Sequence, residues 1–133
     1  MVDVDTFSLP QDRQPGLKVM ALPADADHFG TIPGGWLMAW MDRAGLTEAQ
    51  AFAQGKVALV AVSPFQMHQP VHPGDVVSLY VARLRVGKTS ITVKVEAFVE
   101  RAPNHVKVAM VTDATFTYVA IDQDGKAREI SVS

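Results

Sequence analysis

The stretch "GGWLMAWMDRAG", residues 34–45, decides the fold of this chain. Its apolar side chains recur at helical spacing and the pattern continues beyond it, so we expect one helix from Trp36 to about Gln54. Gly55 follows as a stop signal. A single carboxylate, Asp42, interrupts the apolar run near its middle. A charge at this position needs a physical reason.

Asp42 does not share the polar side of the expected helix. At about 100° per residue, the side chains that should be best hydrated fall together: Arg43, Thr47, Gln50 and Gln54. The helical neighbours of Asp42 are small or apolar: Gly35, Met38, Ala39, Gly45, Leu46 and Ala49. A carboxylate in such surroundings is costly unless it is paired. Asp42 is therefore a functional group, a charge paired with Arg43 or with a partner chain, or a residue whose hydrogen bonds are satisfied at an interface.

The remaining apolar segments are typical of strands. Residues 16–23 form a short one, residues 56–62 read as a buried one, and residues 74–87, 89–101 and 105–121 follow before a turn at 122–125. Short connections between the last three favour antiparallel hairpins. The expected fold is α+β, an antiparallel sheet wrapped around one long central helix. We divide the chain into an N-terminal arm, 1–15, and a single domain, 16–133.

Composition excludes several classes of function. The chain has 133 residues, a net charge of −2 and no cysteine, so we expect no nucleic-acid partner and no thiolate chemistry. No leader-like segment or long apolar run is present, which indicates a cytoplasmic protein without a membrane span. The histidines have no ligand spacing, so we expect no metal: His28, His68, His72 and His105.

A glycine pair precedes the helix, immediately after Pro33. First-turn N–H groups of a helix have no partner inside it, and the positive end of the helix dipole lies there. Gly34 precedes Asp42 by eight residues, about two turns, which puts both on one side. An amide that polarises a carbonyl and a carboxylate that attacks it or activates water are the parts of acyl transfer. The pair alone is also compatible with a plain loop-to-helix turn.

The segment "GTIPGGWLMAWMDRAG", residues 30–45, resembles the G-x-I-F-G-G-W-x-x-x-x-M-D-x-A-G signature of bacterial acyl-CoA thioesterases of the YciA type. The similarity continues through "HPGDVVSLYVARLRVGKTSITVKVEAFVER" and "VTDATFTYVAIDQDGKARE". This resemblance implies a hotdog fold and hydrolysis of short- to medium-chain acyl-CoA to free acid and CoA. Asp42 matches the catalytic aspartate of the family, and the amide that polarises the carbonyl falls in Gly34–Gly35.

The resemblance also implies partners. CoA enters as part of the acyl-CoA substrate, and no separate cofactor is expected. The family implies self-association as a dimer, within a trimer of dimers (a hexamer), with active sites across the subunit interface.

Some residues depart from the family signature. Pro33 replaces a phenylalanine, and His28 lies in the loop before the helix, where the sequence also differs from the family. Ser63, followed by Pro64, replaces an acidic residue. We expect His28, Ser63 and Pro64 to contact the substrate.

The segment "RLRVGKTS", residues 83–90, is the best local candidate for the phosphates of CoA. Arg83 and Arg85 should share a strand face, and a glycine turn exposes amides beside cations. The expected phosphate-binding residues are Arg85, Gly87, Lys88, Thr89 and Ser90. An ordinary solvated hairpin is the alternative.

Two other functions remain open. "HFGTIPGG" has a weak likeness to hotdog dehydratases, which would make His28 part of a 3-hydroxyacyl-thioester dehydratase. A non-catalytic acyl-CoA-binding domain is the third possibility. A thiol-release assay separates these, since only hydrolysis liberates CoA.

Overall fold

The computed structural model describes residues 8–130 of the chain. A short strand β1 (Leu17–Met20) and one turn of 3-10 helix (Pro23–Asp25) lead into a 20-residue helix, α1 (Gly34–Ala53). Four strands follow: β2 (Val57–Val62), β3 (Val76–Val86), β4 (Ser90–Glu100) and β5 (Val108–Ala120).

The strands form one antiparallel sheet in the order β1-β3-β4-β5-β2, and α1 packs across it. Alternate residues of β4, among them Ile91, Val93 and Val95, are fully buried toward the helix. Leu37 and Met41 meet them from α1. The expected α+β class, with a sheet around one long helix, is confirmed. No helix within residues 8–130 has the length and apolarity needed to cross a membrane.

The helix begins two residues before the predicted start, and its cap is unusual. Pro33 occupies the N-cap with φ −64° and ψ 146°, and no side chain caps the helix there. The helix ends where Gln54 adopts a left-handed conformation and its N–H donates to the carbonyl of Gln50. The predicted polar face is confirmed, because all four of its residues are exposed: Arg43, Thr47, Gln50 and Gln54.

Strand β2 is not buried, and that expectation was wrong. Within residues 8–130 it pairs only with β5 and forms one edge of the sheet. Leu59 and Val60 are 41% and 58% exposed. A continuous apolar run predicts a strand, but it cannot say whether the cover comes from the same chain.

A bulge in β3 separates the two arginines that were expected to share a face, so that expectation was also wrong. Arg83 lies opposite Val93, whereas Arg85 lies opposite Thr92, and the extra residue falls between them. Arg83 therefore faces the helix, where its Nε is 3.2 Å from Glu48 Oε1. Arg85 faces the outer side of the sheet.

The outer side of the sheet is partly covered by the N-terminal arm. Arg13 forms an ion pair with Glu96, and its guanidinium lies 5.2 Å from the centre of the Tyr80 ring. Tyr80 is 3% exposed and packs edge-on against Phe98. Residues 1–7 of the predicted arm and 131–133 of the predicted domain lie outside the described residues.

A buried ion pair joins the loop before β3 to the end of β4. Asp75 is 1% exposed and accepts hydrogen bonds from Arg101 Nη1 at 2.6 Å and from the main-chain N–H groups of His72 and Ala102. Arg101 Nη1 also donates to the carbonyl of Pro70. Every partner of this cluster comes from a loop or a strand end.

Candidate active site

Asp42 opens into a pocket of about 260 Å³ between α1 and the strands β2 and β5. The helix supplies Gly35, Met38, Ala39 and Asp42, β2 supplies Leu59 and Val62, and β5 supplies Phe116. The helix side of the pocket includes three of the six residues predicted to surround Asp42. Asp42 is the only ionisable side chain among these lining residues. The pocket is thus a short apolar cleft with one carboxylate in its wall.

The carboxylate is held from the sheet side by Tyr118. The phenol O–H lies 2.8 Å from Asp42 Oδ1 and 3.0 Å from the main-chain carbonyl oxygen of Asp42, and it donates to both positions. Tyr118 itself is 0% exposed. Residues two apart in a strand share a face, so Phe116 and Tyr118 both point at the helix, and their rings stack at 6.5 Å.

Burial raises the pKa of Tyr118 far above its usual value, and the hydrogen bond and negative charge of Asp42 raise it further. A buried phenolate beside a carboxylate would be doubly unfavourable. The phenol therefore keeps its proton and acts as a donor to Asp42 over the physiological pH range.

The start of α1 offers amides to the same pocket. Trp36 N donates to the carbonyl of Pro33, whereas no hydrogen bond among residues 8–130 uses the N–H of Gly34 or Gly35. A Cβ at Gly35 would meet no atom within 4 Å, so the backbone there borders open space. Free first-turn amides carry partial positive charge. An oxygen that develops negative charge can be stabilised at this point.

Comparison with known proteins identifies the relatives of this chain. A sequence profile of the thioesterase superfamily matches residues 29–103. A Haemophilus influenzae protein described as an uncharacterized acyl-CoA thioester hydrolase is 40% identical over 116 residues, which cover 86% of this chain and 75% of that protein. The chain belongs to the thioesterase superfamily.

Other members of the superfamily agree in sequence and in fold. The acyl-CoA thioester hydrolase YciA of Salmonella typhimurium is 39% identical over 87% of this chain and 89% of its own. A hexameric broad-specificity acyl-coenzyme A thioesterase superposes with a TM-score of 0.86 at 38% identity, covering 93% of this chain and 85% of that one. A hexameric hotdog-fold thioesterase of Campylobacter jejuni superposes with a TM-score of 0.83 at 34% identity over 92% and 93%. The hotdog fold is thereby confirmed.

Three residues expected at the mouth of this thioesterase-superfamily site lie outside the lining of the pocket. His28 is exposed in the loop before α1, and its ring packs against Phe29 at 4.0 Å. Ser63 directly follows Val62, but its hydroxyl accepts a hydrogen bond from the N–H of Thr115 and so extends the pairing of β2 with β5. Pro64 is exposed beyond it.

The expected phosphate-binding residues meet at the β3–β4 hairpin, away from the lining of the pocket. Gly87 N donates to the carbonyl of Ser90, and the carbonyl of Thr89 accepts from Ala120 N. Lys88 is 78% exposed and its Nζ lies 3.2 Å from Glu129 Oε1. Arg85 is exposed on the outer side of the same hairpin.

The strand side of the site was not predicted from the sequence: Leu59, Val62, Phe116 and Tyr118. Strand alternation predicts that Phe116 and Tyr118 share a face, but it does not say that this face meets Asp42. The one indication in the sequence was the glycine at position 45, one turn from Asp42, because a missing side chain leaves space for a bulky neighbour.

Proposed function

We propose that this protein hydrolyses short- to medium-chain acyl-CoA thioesters to the free acid and CoA. The observation that carries the proposal is the position of Asp42, a lone carboxylate in an apolar pocket that also reaches the uncapped start of α1. Membership of the thioesterase superfamily supports the same reaction, as do related chains described as acyl-CoA thioester hydrolases.

In the proposed reaction, the thioester carbonyl oxygen lies against the amide of Gly34 or Gly35. Asp42 either attacks the carbonyl carbon or removes a proton from a water that attacks it. The carbon–sulfur bond then breaks, and the thiolate of CoA leaves and takes up a proton. In the covalent route, water subsequently hydrolyses the anhydride between the acyl group and Asp42. Single turnover in ¹⁸O-labelled water tests the covalent route, because label enters the Asp42 carboxylate only when water attacks the Asp42 carbonyl carbon of such an anhydride.

The acyl chain is proposed to lie in the pocket itself. Met38, Leu59, Val62 and Phe116 offer it a continuous apolar surface, and methionine adapts to chains of different shape. A second charge on the acyl group would be desolvated beside Asp42 without a partner from the lining. This favours simple hydrocarbon chains over dicarboxylic ones.

The nucleotide end of CoA is proposed to bind at the β3–β4 hairpin. Lys88 and Arg85 supply positive charge there, and Gly87, Thr89 and Ser90 supply amides and hydroxyls. Because Glu129 is paired with Lys88, a phosphate must compete with that carboxylate for the ammonium group.

Self-association is proposed through β2, as a dimer within a trimer of dimers. The edge of β2 carries exposed Leu59 and Val60, and Leu59 also lines the pocket. An exposed apolar sheet edge favours pairing with another strand. A second copy at this edge would cover the pocket. The hexameric assembly of the related thioesterases supports three such dimers in one particle.

Asp42→Asn tests the proposal. We expect thiol release from acyl-CoA to fall by at least about 100-fold, because the amide cannot act as base or nucleophile, while folding and oligomer mass remain unchanged. Asp113→Asn is the matched control, since Asp113 forms an exposed pair with Lys94 on β4. Formation of an enoyl thioester by the parent protein would indicate a dehydratase instead. Binding of acyl-CoA without turnover would indicate a non-catalytic domain.

A further inference from the structure

Tyr118 approaches Asp42 from the far side of the pocket wall. The two residues are 76 positions apart in sequence, yet the phenol oxygen lies 2.8 Å from Asp42 Oδ1. The register of the sheet makes this possible, because Tyr118 of β5 lies between Ile91 of β4 and Leu59 of β2. Tyr118 thus has a paired strand on each side, and its ring is fully buried.

The contact depends on the absence of a side chain at Gly45. A Cβ at this position would lie 2.8 Å from the Tyr118 hydroxyl oxygen and 3.2 Å from Cγ2 of Val93. Both distances are shorter than normal van der Waals separations, and a buried ring in a packed sheet has little room to move. The absence of a side chain at Gly45 therefore leaves the space in which the Tyr118 phenol reaches the Asp42 carboxylate.

The hydrogen bond from Tyr118 leaves the second carboxylate oxygen of Asp42 available for the reaction. Tyr118 is bonded to Oδ1, and no side chain within residues 8–130 makes a hydrogen bond to Oδ2. A hydrogen bond donated to the ionised form of a carboxylate stabilises that form. It also fixes the carboxylate rotamer at low entropic cost, because the donor is itself immobile.

We infer that Tyr118 is a positioning residue that orients Asp42 for attack on the thioester, with Gly45 providing the space for it. The inference rests on the proposed hydrolysis of acyl-CoA. Tyr118 is not among the residues that line the pocket, so we do not expect it to contact the substrate directly. Its effect therefore passes through Asp42 and should change turnover more than substrate binding.

A purely structural role for Tyr118 predicts a different outcome. The phenol also lies 3.0 Å from the carbonyl oxygen of Asp42 and so ties α1 to β5. If this tie were its whole function, its loss would lower stability without altering the turnover of the folded protein. A measurement that separates turnover from stability is thus required.

The test compares Tyr118→Phe with Tyr80→Phe in the full chain. Tyr80 is the other tyrosine of the chain, similarly buried but on the outer side of the sheet. For Tyr118→Phe we expect kcat to fall by at least about tenfold, the effect of losing a hydrogen bond to a charged group, with KM within about twofold. For Tyr80→Phe we expect parental kcat and KM.

Gly45→Ala provides a second variant that leaves the phenol in place but displaces it. We expect the same loss of kcat at unchanged KM, and little additional loss when it is combined with Tyr118→Phe, because both act on one contact. If Tyr118→Phe retains the parental kcat while Asp42→Asn is inactive, the inference is wrong and the proposed function stands. If Asp42→Asn is active, the proposed function itself fails.

Discussion

Replacing Arg101 by methionine should destabilise the protein well beyond the usual effect of losing an ion pair. The side chains of Arg101 and Asp75 are 14% and 2% exposed. The guanidinium also donates to the carbonyl of Pro70 at 2.8 Å and to Gln69 at 3.3 Å. Methionine preserves much of the apolar stem and removes only the charge and its donors.

The magnitude follows from what remains around Asp75. Breaking a buried pair by removing one partner costs about 3–5 kcal/mol, because the other charge is left uncompensated. Asp75 keeps two donors, the main-chain N–H groups of His72 and Ala102 at 2.8 and 3.1 Å. These offset part of the penalty, so we expect a loss of about 2–3 kcal/mol in the free energy of unfolding.

Urea-induced unfolding followed by tryptophan fluorescence measures this loss. With a urea m-value of about 2 kcal/mol/M, the midpoint should fall by about 1–1.5 M. Equal protein concentrations are required, because association stabilises the folded chain by mass action. Lys94→Met is the matched control, since its pair with Asp113 is more than a third exposed on both sides, and such pairs contribute at most about 1 kcal/mol.

The reasoning would be refuted if Arg101→Met and Lys94→Met shifted the midpoint equally. It would also be refuted by a large loss of turnover in the folded Arg101→Met protein, because Arg101 does not line the pocket of Asp42. A changed m-value would show that the substitution altered the compactness of one state, and the midpoint would then not report the ion pair.

Further substitutions address three places: the pocket, the hairpin and the sheet edge. Gly35→Ala should keep the melting temperature and reduce kcat/KM most for the longest acyl chains, because the methyl group enters open space in the pocket; a series of acyl-CoA substrates checks this. Lys88→Ala should raise KM for acyl-CoA at low salt with little change in kcat, and Glu129→Gln should lower KM by freeing the ammonium. The KM for a thioester that lacks the nucleotide should be unchanged by both substitutions. Val60→Asp should lower the sedimentation mass, whereas Val106→Asp, at a 74% exposed loop position, should not.

The helix half of the site could be predicted from the sequence because it depends on local geometry. A period of about 3.6 residues places Gly35, Met38 and Ala39 beside Asp42 whatever the rest of the chain does. The same periodicity identified the exposed face that begins with Arg43. Here the structure adds precision but does not alter the interpretation.

The strand half could not be predicted, since it depends on long-range pairing. Leu59 and Phe116 meet only because β2 returns to pair with β5, and a register shift between Leu59 and Ala61 changes which side chains point inward. The bulge between Arg83 and Arg85 reversed an expectation for the same reason. One extra residue in a strand moves every later side chain to the other face of the sheet. The alternation of residues in the sequence does not show where such a bulge occurs.

Pro33 has a consequence that can be followed by amide hydrogen exchange. Most helices protect their first N–H groups with a capping side chain, but no side chain caps α1, and Pro33 itself has no hydrogen to exchange. The amides of Gly34 and Gly35 should therefore exchange rapidly with solvent although they begin a helix whose middle is buried. A bound thioester analogue whose carbonyl occupies the proposed position would slow exchange at these two glycines, while that of the Gln54 amide at the other end of the helix would stay the same.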